Sequence, residues 1–304
     1  MHARGRRGGV RPAVRRADQG AVIPAVQGPA AAPALDWLDA VVLGIVEGLT
    51  EFLPVSSTGH LIVVQRLLGC GEGAAENAFA VAIQLGAISA ILALYWRDLL
   101  AALKAVLRPE RDRPNLLLQI AVAALPAAVL GLTCEDWIDA HLFSPRVVAT
   151  TLVIGGVLLL LLERWLRGRK QHIAGLPAMG YRTALWIGCW QCLALIPGTS
   201  RSGATIGGAL LLGLSRPAAA EFSFLVGLPI LYGASLYKLV KVKEHLTGPL
   251  LLPLLVGTAV SFVAAILVVG PFLRFVRRRD FRPFAWYRIA VGLLLLAMIA
   301  TGAL

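Results

Sequence analysis

The sequence predicts an all-α polytopic membrane protein. It reads as an inverted repeat of one re-entrant helical hairpin plus three transmembrane helices, giving about six full spans and two re-entrant hairpins. Three observations carry this. The 304-residue chain is 58% hydrophobic and only 15% charged, with a mean hydropathy of +0.75. A soluble domain cannot hide that much apolar surface, whereas a bilayer accepts it. Several apolar runs reach the roughly 20 residues needed to cross a membrane. Two further apolar runs are each broken in the middle by Pro, Gly and hydroxyl residues, and the two breaks resemble each other.

The full-length spans are expected at about 77–96, 115–133, 146–166, 218–240, 250–274 and 284–303. The broken runs are 36–69 and 181–213, interrupted by "LPVSSTGH" and "IPGTSRSGAT". Each flanking half is too short to cross alone. Half-helices joined by irregular backbone at membrane depth are tolerated only where they line a buried or watery cavity. With an offset of 144, Gly44 falls on Gly188, Glu47 on Gln191, Ser56 on Ser200, Thr58 on Ser202, Gly59 on Gly203 and Gly69 on Gly213. Each broken run precedes three full spans, so the chain reads as a duplicated unit: repeat 1 over about 36–167 and repeat 2 over about 181–304. An odd number of crossings per unit inverts the second copy. Paired broken segments then meet near the midplane, the place to look for a binding site.

The formal charge is +12 and the pI about 10.3. The bases cluster in short loops between apolar runs, a membrane pattern, so nucleic acid is excluded as a partner. One side of the membrane receives the Arg-rich loops 97–113, 164–182 and 274–282 and is expected to be cytoplasmic; the other receives 134–146, with Glu135, Asp136 and Asp139, and 238–249. Residues 1–34, opening "MHARGRRGGVRPAVRRADQG", are expected to form a disordered basic tail without a signal peptide. That tail would lie outside, against the charge rule, and is not read as a topological signal. Residues 35–304 are expected to form one membrane domain. Cys189 and Cys192 make a C-x-x-C inside an apolar helical run, and small buried residues are the expectation there.

The chemistry concentrates in the breaks. Glu47 and Glu51 lie four apart, on one helix face and about 6 Å from each other. Two like charges in an apolar helix need a divalent cation, an arginine or a proton on one of them. Pro54 ends that helix. Ser56, Ser57 and Thr58 then offer hydroxyls and free N–H groups at the next helix start, a cradle for phosphate. His60 follows within a turn and is a candidate acid or base. The second break supplies Ser200, Arg201, Ser202 and Thr205. Arg201 has no acidic neighbour in sequence; its planar fork suits a phosphate, the alternative being a bridge to Glu47 or Glu51. Carboxylates for a metal and an arginine for phosphoryl oxygens are parts of phosphoryl transfer. A cavity opening within the bilayer favours a substrate with a phosphate head and an apolar tail.

The stretches "EGLTEFLPVSSTGH" and "PGTSRSGATI", with "AIQLGAI" between them and "EFSFLVGLP" after them, resemble the bacterial undecaprenyl-diphosphate phosphatases, also called bacitracin-resistance proteins. The resemblance runs from about 36 to 304. It implies hydrolysis of undecaprenyl diphosphate to the monophosphate carrier and inorganic phosphate, in the inner membrane, at a site opening outward. It implies a divalent cation, Mg²⁺ or Ca²⁺, on Glu47 and Glu51. It also implies Ser57 and His60 as nucleophile or base, Arg201 on phosphate, and Ser200 and Thr205 as further phosphate contacts. Ser57, His60 and a water remain open as nucleophile. A polyprenyl-phosphate transporter is the rival reading, since inverted repeats with broken helices are also transporter architecture. The partners expected are the polyprenyl diphosphate and membrane lipids; a homo-oligomer is compatible with the sequence.

Overall fold

The computed structural model describes residues 35–70, 74–107, 114–241 and 248–302; the tail of 1–34, and the expectation attached to it, lies outside these residues. The described chain is helical, with one isolated parallel bridge between Ile173 and Leu214. Helix α1 (Trp37–Thr50) opens on a capping box: Asp39 N–H donates to Asp36 at 2.8 Å and Asp36 N–H donates to Asp39 at 3.3 Å. Then come α2 (Ser57–Leu67), α3 (Ala74–Leu107), α4 (Leu116–Leu142) and α5 (Pro145–Leu166). The second half runs α6 (Tyr181–Gln191), α7 (Arg201–Leu211), α8 (Arg216–Lys241), α9 (Gly248–Arg278) and α10 (Arg282–Ala300).

Six stretches are long and apolar enough to cross a membrane: Phe79–Leu107, Leu116–Cys134, Pro145–Leu166, Arg216–Lys241, Leu250–Arg278 and Arg282–Ala300. Each overlaps one of the six expected spans, and the protein is a multi-pass membrane protein. Large apolar side chains such as Leu92, Leu125, Ile154, Leu236, Leu255 and Leu293 stand exposed along them; in water such a belt would drive aggregation. By contrast α1 has 14 residues, about 21 Å at 1.5 Å per residue, against a hydrocarbon core of about 30 Å. The 11-residue helices α2, α6 and α7 are shorter still.

Two expectations need correction. The segments after 96 and 133 were expected as loops, yet α3 continues to Leu107 and α4 to Leu142. The stretch "DLLAALKAVL" is rich in strong helix formers, and a helix leaving the bilayer keeps its own hydrogen bonds. The two cysteines of the C-x-x-C are not buried together: Cys189 is exposed and Cys192 half-buried, its thiol donating to Gly188 O at 3.5 Å.

Helix α1 packs along α9, and α6 along α4. Likewise α3 packs on α9 and α8 on α4, while α3 meets α8 and α5 meets α10. The glycines at the offset of 144 make the first two contacts close. A Cβ on Gly44 would stand 2.6 Å from Gly257 O, and one on Gly188 would collide with Ala123 O. Backbones that approach so closely exclude any side chain at the crossing. A turn of the chain is also pinned beneath the second half: Ile173 N–H donates to Gly213 O at 3.0 Å, and Ser215 N–H donates to Ile173 O at 2.9 Å.

Candidate active site

Both short helix pairs turn on the same backbone device. In the first, Glu51 still donates its N–H to Glu47 O at 2.9 Å, completing a last helical turn after Thr50. Pro54, with no N–H and a ring that disfavours helix in Leu53, stops it. Ser56 takes φ 71°, and α2 starts at Ser57. In the second, a 3₁₀ turn over Cys192–Leu195 precedes Pro197, and Gly198 has φ 86°. Ser200 then repeats φ 71° and α7 starts at Arg201. A side-chain-bearing residue at positive φ costs about 1–3 kcal/mol and persists only where its surroundings fix it. Ser200 caps α7, its Oγ accepting from Gly203 N–H at 3.1 Å, whereas the buried Ser56 makes no such bond to α2.

The first helix of one break and the start of the other meet at Glu51. Its Oε2 accepts from Ser57 Oγ at 2.7 Å and its Oε1 accepts from Arg201 Nη2 at 2.9 Å. Arg201 has no acidic neighbour in sequence, and the fold brings Glu51 to it. The other nitrogen, Nη1, donates to Ser223 O at 2.7 Å and reaches Ser223 Oγ at 3.4 Å. Gly227 leaves room for the guanidinium: a Cβ there would stand 2.8 Å from it. Glu51 and Ser57 are buried, and the Arg201 side chain is 9% exposed. Charged hydrogen bonds in such a setting are short and about twice as strong as neutral ones, and removing one partner strands the other.

Glu47 differs from Glu51. It is buried one turn earlier, and its Oε2 has no hydrogen-bond partner. An orphaned carboxylate oxygen beside a second carboxylate is a donor set suited to a hard divalent cation. Among the described residues no group of three or more His, Cys, Asp or Glu gathers to hold a metal. The chain therefore offers two carboxylates, the number Mg²⁺-type ions use when phosphate oxygens and water complete the shell. The residues fit a cation that binds together with a phosphate.

His60 sits apart from this triad. Its Nδ1 lies 2.7 Å from Ser56 O and its Nε2 2.8 Å from Tyr287 Oη, with the two rings stacked at 5.4 Å. A carbonyl only accepts, so Nδ1 carries the hydrogen and Nε2 accepts from the tyrosine; the tautomer follows from the network. The structure thus joins Glu51, Ser57 and Arg201, and holds His60 on the neighbouring turn, bonded to neither Ser57 nor a carboxylate. Thr58 is half-buried beside it.

The remaining expected phosphate contacts are engaged within the protein. Ser202 Oγ donates to Leu53 O at 2.8 Å, fastening one break to the other, and lies 3.1 Å from Ser200 Oγ. Thr205 donates to Arg201 O at 2.9 Å and lies 2.6 Å from Ser223 Oγ. Both Ser202 and Thr205 are fully buried. Sequence reasoning passed over Ser223, Tyr287 and Arg288. Ser223 lies inside the quoted "EFSFLVGLP", and an arginine six residues into a span was itself a signal. Gln191, the counterpart of Glu47, is buried with both amide atoms unpartnered.

The family profile described as "Bacitracin resistance protein BacA" matches residues 40–294. A protein of Deinococcus deserti named undecaprenyl-diphosphatase is 47% identical over 273 residues, 89% of this chain and 98% of its own. One of Enterococcus faecalis with the same name is 42% identical over 274 residues, covering 88% and 99%. One of Rhodopseudomonas palustris, again so named, is 47% identical over 269 residues, covering 88% and 98%. On this match, which takes in both breaks, five candidate spans and most of the sixth, the chain belongs to the BacA family of bacitracin-resistance proteins.

Proposed function

We propose that the protein is an undecaprenyl-diphosphatase: it hydrolyses the terminal phosphate of undecaprenyl diphosphate, returning the lipid carrier for cell-wall polymers and conferring bacitracin resistance. The observation that carries the chemistry is Glu51 gripping Ser57 Oγ at 2.7 Å on one oxygen and Arg201 at 2.9 Å on the other. A hydroxyl bonded to a buried carboxylate is an activated nucleophile with its base in place. Ser57 Oγ attacks the terminal phosphorus, its proton passes to Glu51 Oε2, and the bond from that phosphorus to the bridging oxygen breaks. The lipid monophosphate leaves with that oxygen. Water then attacks the phosphoserine, Glu51 returns the proton to Ser57 Oγ, and orthophosphate departs.

In this cycle Arg201 turns its fork from Glu51 to the phosphoryl oxygens, and the N–H groups opening α2 face the same charge. Glu47 and Glu51 would hold a divalent cation, which would supply Lewis-acid stabilisation of phosphoryl charge. His60, tied to Tyr287, orients the first turn of α2 rather than attacking.

The architecture we infer is an inverted repeat with both breaks re-entrant. Support comes from positive φ at Ser56 and Ser200 at the offset of 144, and from packing that exchanges the halves, α1 on α9 as α6 on α4. The charge rule applied to the Arg-rich loops supports an entrance of the first break on the outer face of the inner membrane. The test is release of inorganic phosphate from undecaprenyl diphosphate by the purified protein, with and without chelator. Ser57→Ala should reduce release to background; a transporter without phosphatase activity would release none even as wild type.

A further inference from the structure

Arg288, in the second turn of α10, is the largest fully buried side chain among the described residues, 2% exposed. Its guanidinium faces only carbonyls: Nε donates to Leu152 O at 3.4 Å, Nη1 to Pro54 O at 3.4 Å, and Nη2 to Thr151 O at 3.3 Å and Gly198 O at 3.2 Å. Among the described residues no carboxylate pairs with it. A buried cation without a counter-charge is expensive, and in a membrane span it marks a functional position.

The surrounding chain is cut to admit it. A Cβ on Gly155 of α5 would collide with the guanidinium, and one on Gly203 would stand 2.9 Å from Nη1. On Gly156 it would stand 3.3 Å from Arg288 Cβ and 2.7 Å from Ala285 O, so the α5–α10 crossing is close here. The partners have a pattern. Pro54 lies two residues before Ser56, and Gly198 two residues before Ser200, the two non-glycine residues of positive φ among those described. Gly203 is in the first turn of α7, its N–H bonded to Ser200 Oγ. A single guanidinium thus holds both breaks at matching places. Thr151 adds a tie from α5 to the second break, donating to Pro197 O at 2.6 Å.

We propose that Arg288 is a positioning residue: it locks the register of the two breaks so that Arg201 and the start of α7 face the start of α2 across one diphosphate. This rests on the reading above that a diphosphate is bound between the breaks. Each of its four bonds is long, and no single one would be strong. Together they fix the relative placement of two half-sites, and a misplacement of about 1 Å between reacting groups costs about 100-fold in rate.

The test uses full-length purified protein and two probes, inorganic pyrophosphate and orthophosphate, bound calorimetrically in the presence of Mg²⁺. Arg288→Met keeps length and removes every donor; Arg288→Lys keeps the charge and loses the fork; Gly155→Ala keeps the arginine and pushes it aside. The expected result is pyrophosphate binding weakened about tenfold or more in Arg288→Met, with orthophosphate changed less than about threefold, since only the longer probe needs both breaks in register. Arg288→Lys should fall between, and Gly155→Ala should follow Arg288→Met. A loss of folded fraction lowers the number of sites and leaves both dissociation constants unchanged, so it cannot mimic this. If Arg288→Met fails to insert, Gly155→Ala gives the same ratio. Equal weakening of both probes, or no change in either, overturns the proposal. Wild-type protein that binds pyrophosphate but releases no phosphate from the lipid overturns the phosphatase reading while leaving this comparison intact; wild type that binds neither probe overturns both.

Discussion

Glu47 and Glu51 are the same residue type one helical turn apart, yet their surroundings assign them different work. Changing each to Gln separates the roles. Both oxygens of Glu51 already accept hydrogen bonds, from Ser57 at 2.7 Å and Arg201 at 2.9 Å, while Glu47 Oε2 accepts none. Glu51→Gln keeps the volume but cannot take the Ser57 proton, and it removes the charged partner of the Arg201 salt bridge. Loss of a positioned general base costs about 10²–10⁴ in rate, so turnover should fall at least about 100-fold, or roughly 2.7 kcal/mol of transition-state stabilisation. Glu47→Gln breaks no hydrogen bond at Oε2. Its effect should fall on the cation. Mutating even an outer partner of a metal ligand typically costs about 10–100-fold in metal affinity, so losing a ligand should raise the half-maximal Mg²⁺ concentration by about tenfold or more. The assay is a Mg²⁺ titration of phosphate release at saturating substrate for wild type and both variants. The reasoning fails if Glu47→Gln keeps the wild-type midpoint, or if it is Glu51→Gln alone whose midpoint moves; Glu47 would then be a buried carboxyl without a metal role.

Arg201→Lys should lower kcat/KM at least about tenfold, because an ammonium cannot span Ser223 O and Glu51 in one plane as the guanidinium does; near-wild-type kinetics would remove the fork from the mechanism. Tyr287→Phe deletes the donor to His60 Nε2 and keeps the stacked ring. If His60 only orients α2, turnover should fall by less than about tenfold, the scale of one hydrogen bond of about 1 kcal/mol, and a collapse comparable with Ser57→Ala would make His60 a direct participant. Far from the site, Glu163 is buried and accepts from Arg216 at 2.6 and 3.3 Å and from Phe281 N–H at 3.0 Å, clasping α5, α8 and the α9–α10 turn. Glu163→Gln should lower stability by about 1–3 kcal/mol, the cost of unsatisfied buried groups, visible as a reduced thermal midpoint in detergent with KM unchanged.

Much of this protein is legible in one dimension because a bilayer imposes local rules. About 20 apolar residues are a span wherever they occur, so the six candidate spans could be located without tertiary information. Pro54 and the hydroxyl run after it had to break a helix, and the offset of 144 between the breaks could be read from matching glycines and serines. The same composition brought forward Glu47, Glu51, Ser57, His60 and Arg201, since polar groups in apolar runs are rare and costly. Pairing between distant residues was not legible. Glu51 and Arg201 are 150 positions apart, and whether that arginine met a carboxylate or waited for an anion depended on how α7 docks against α1. The partners of Ser57 and His60 were set only by folding, which gave the serine to Glu51 and the histidine to Tyr287 on α10. Arg288 is visible in sequence as a charge inside a span, but what it holds appears only once α5 and both breaks close around it. The physical reason is common to all three. Membrane insertion acts on each segment by itself, so sequence records it, whereas a hydrogen bond between helices exists only once packing has brought two distant surfaces within about 3 Å.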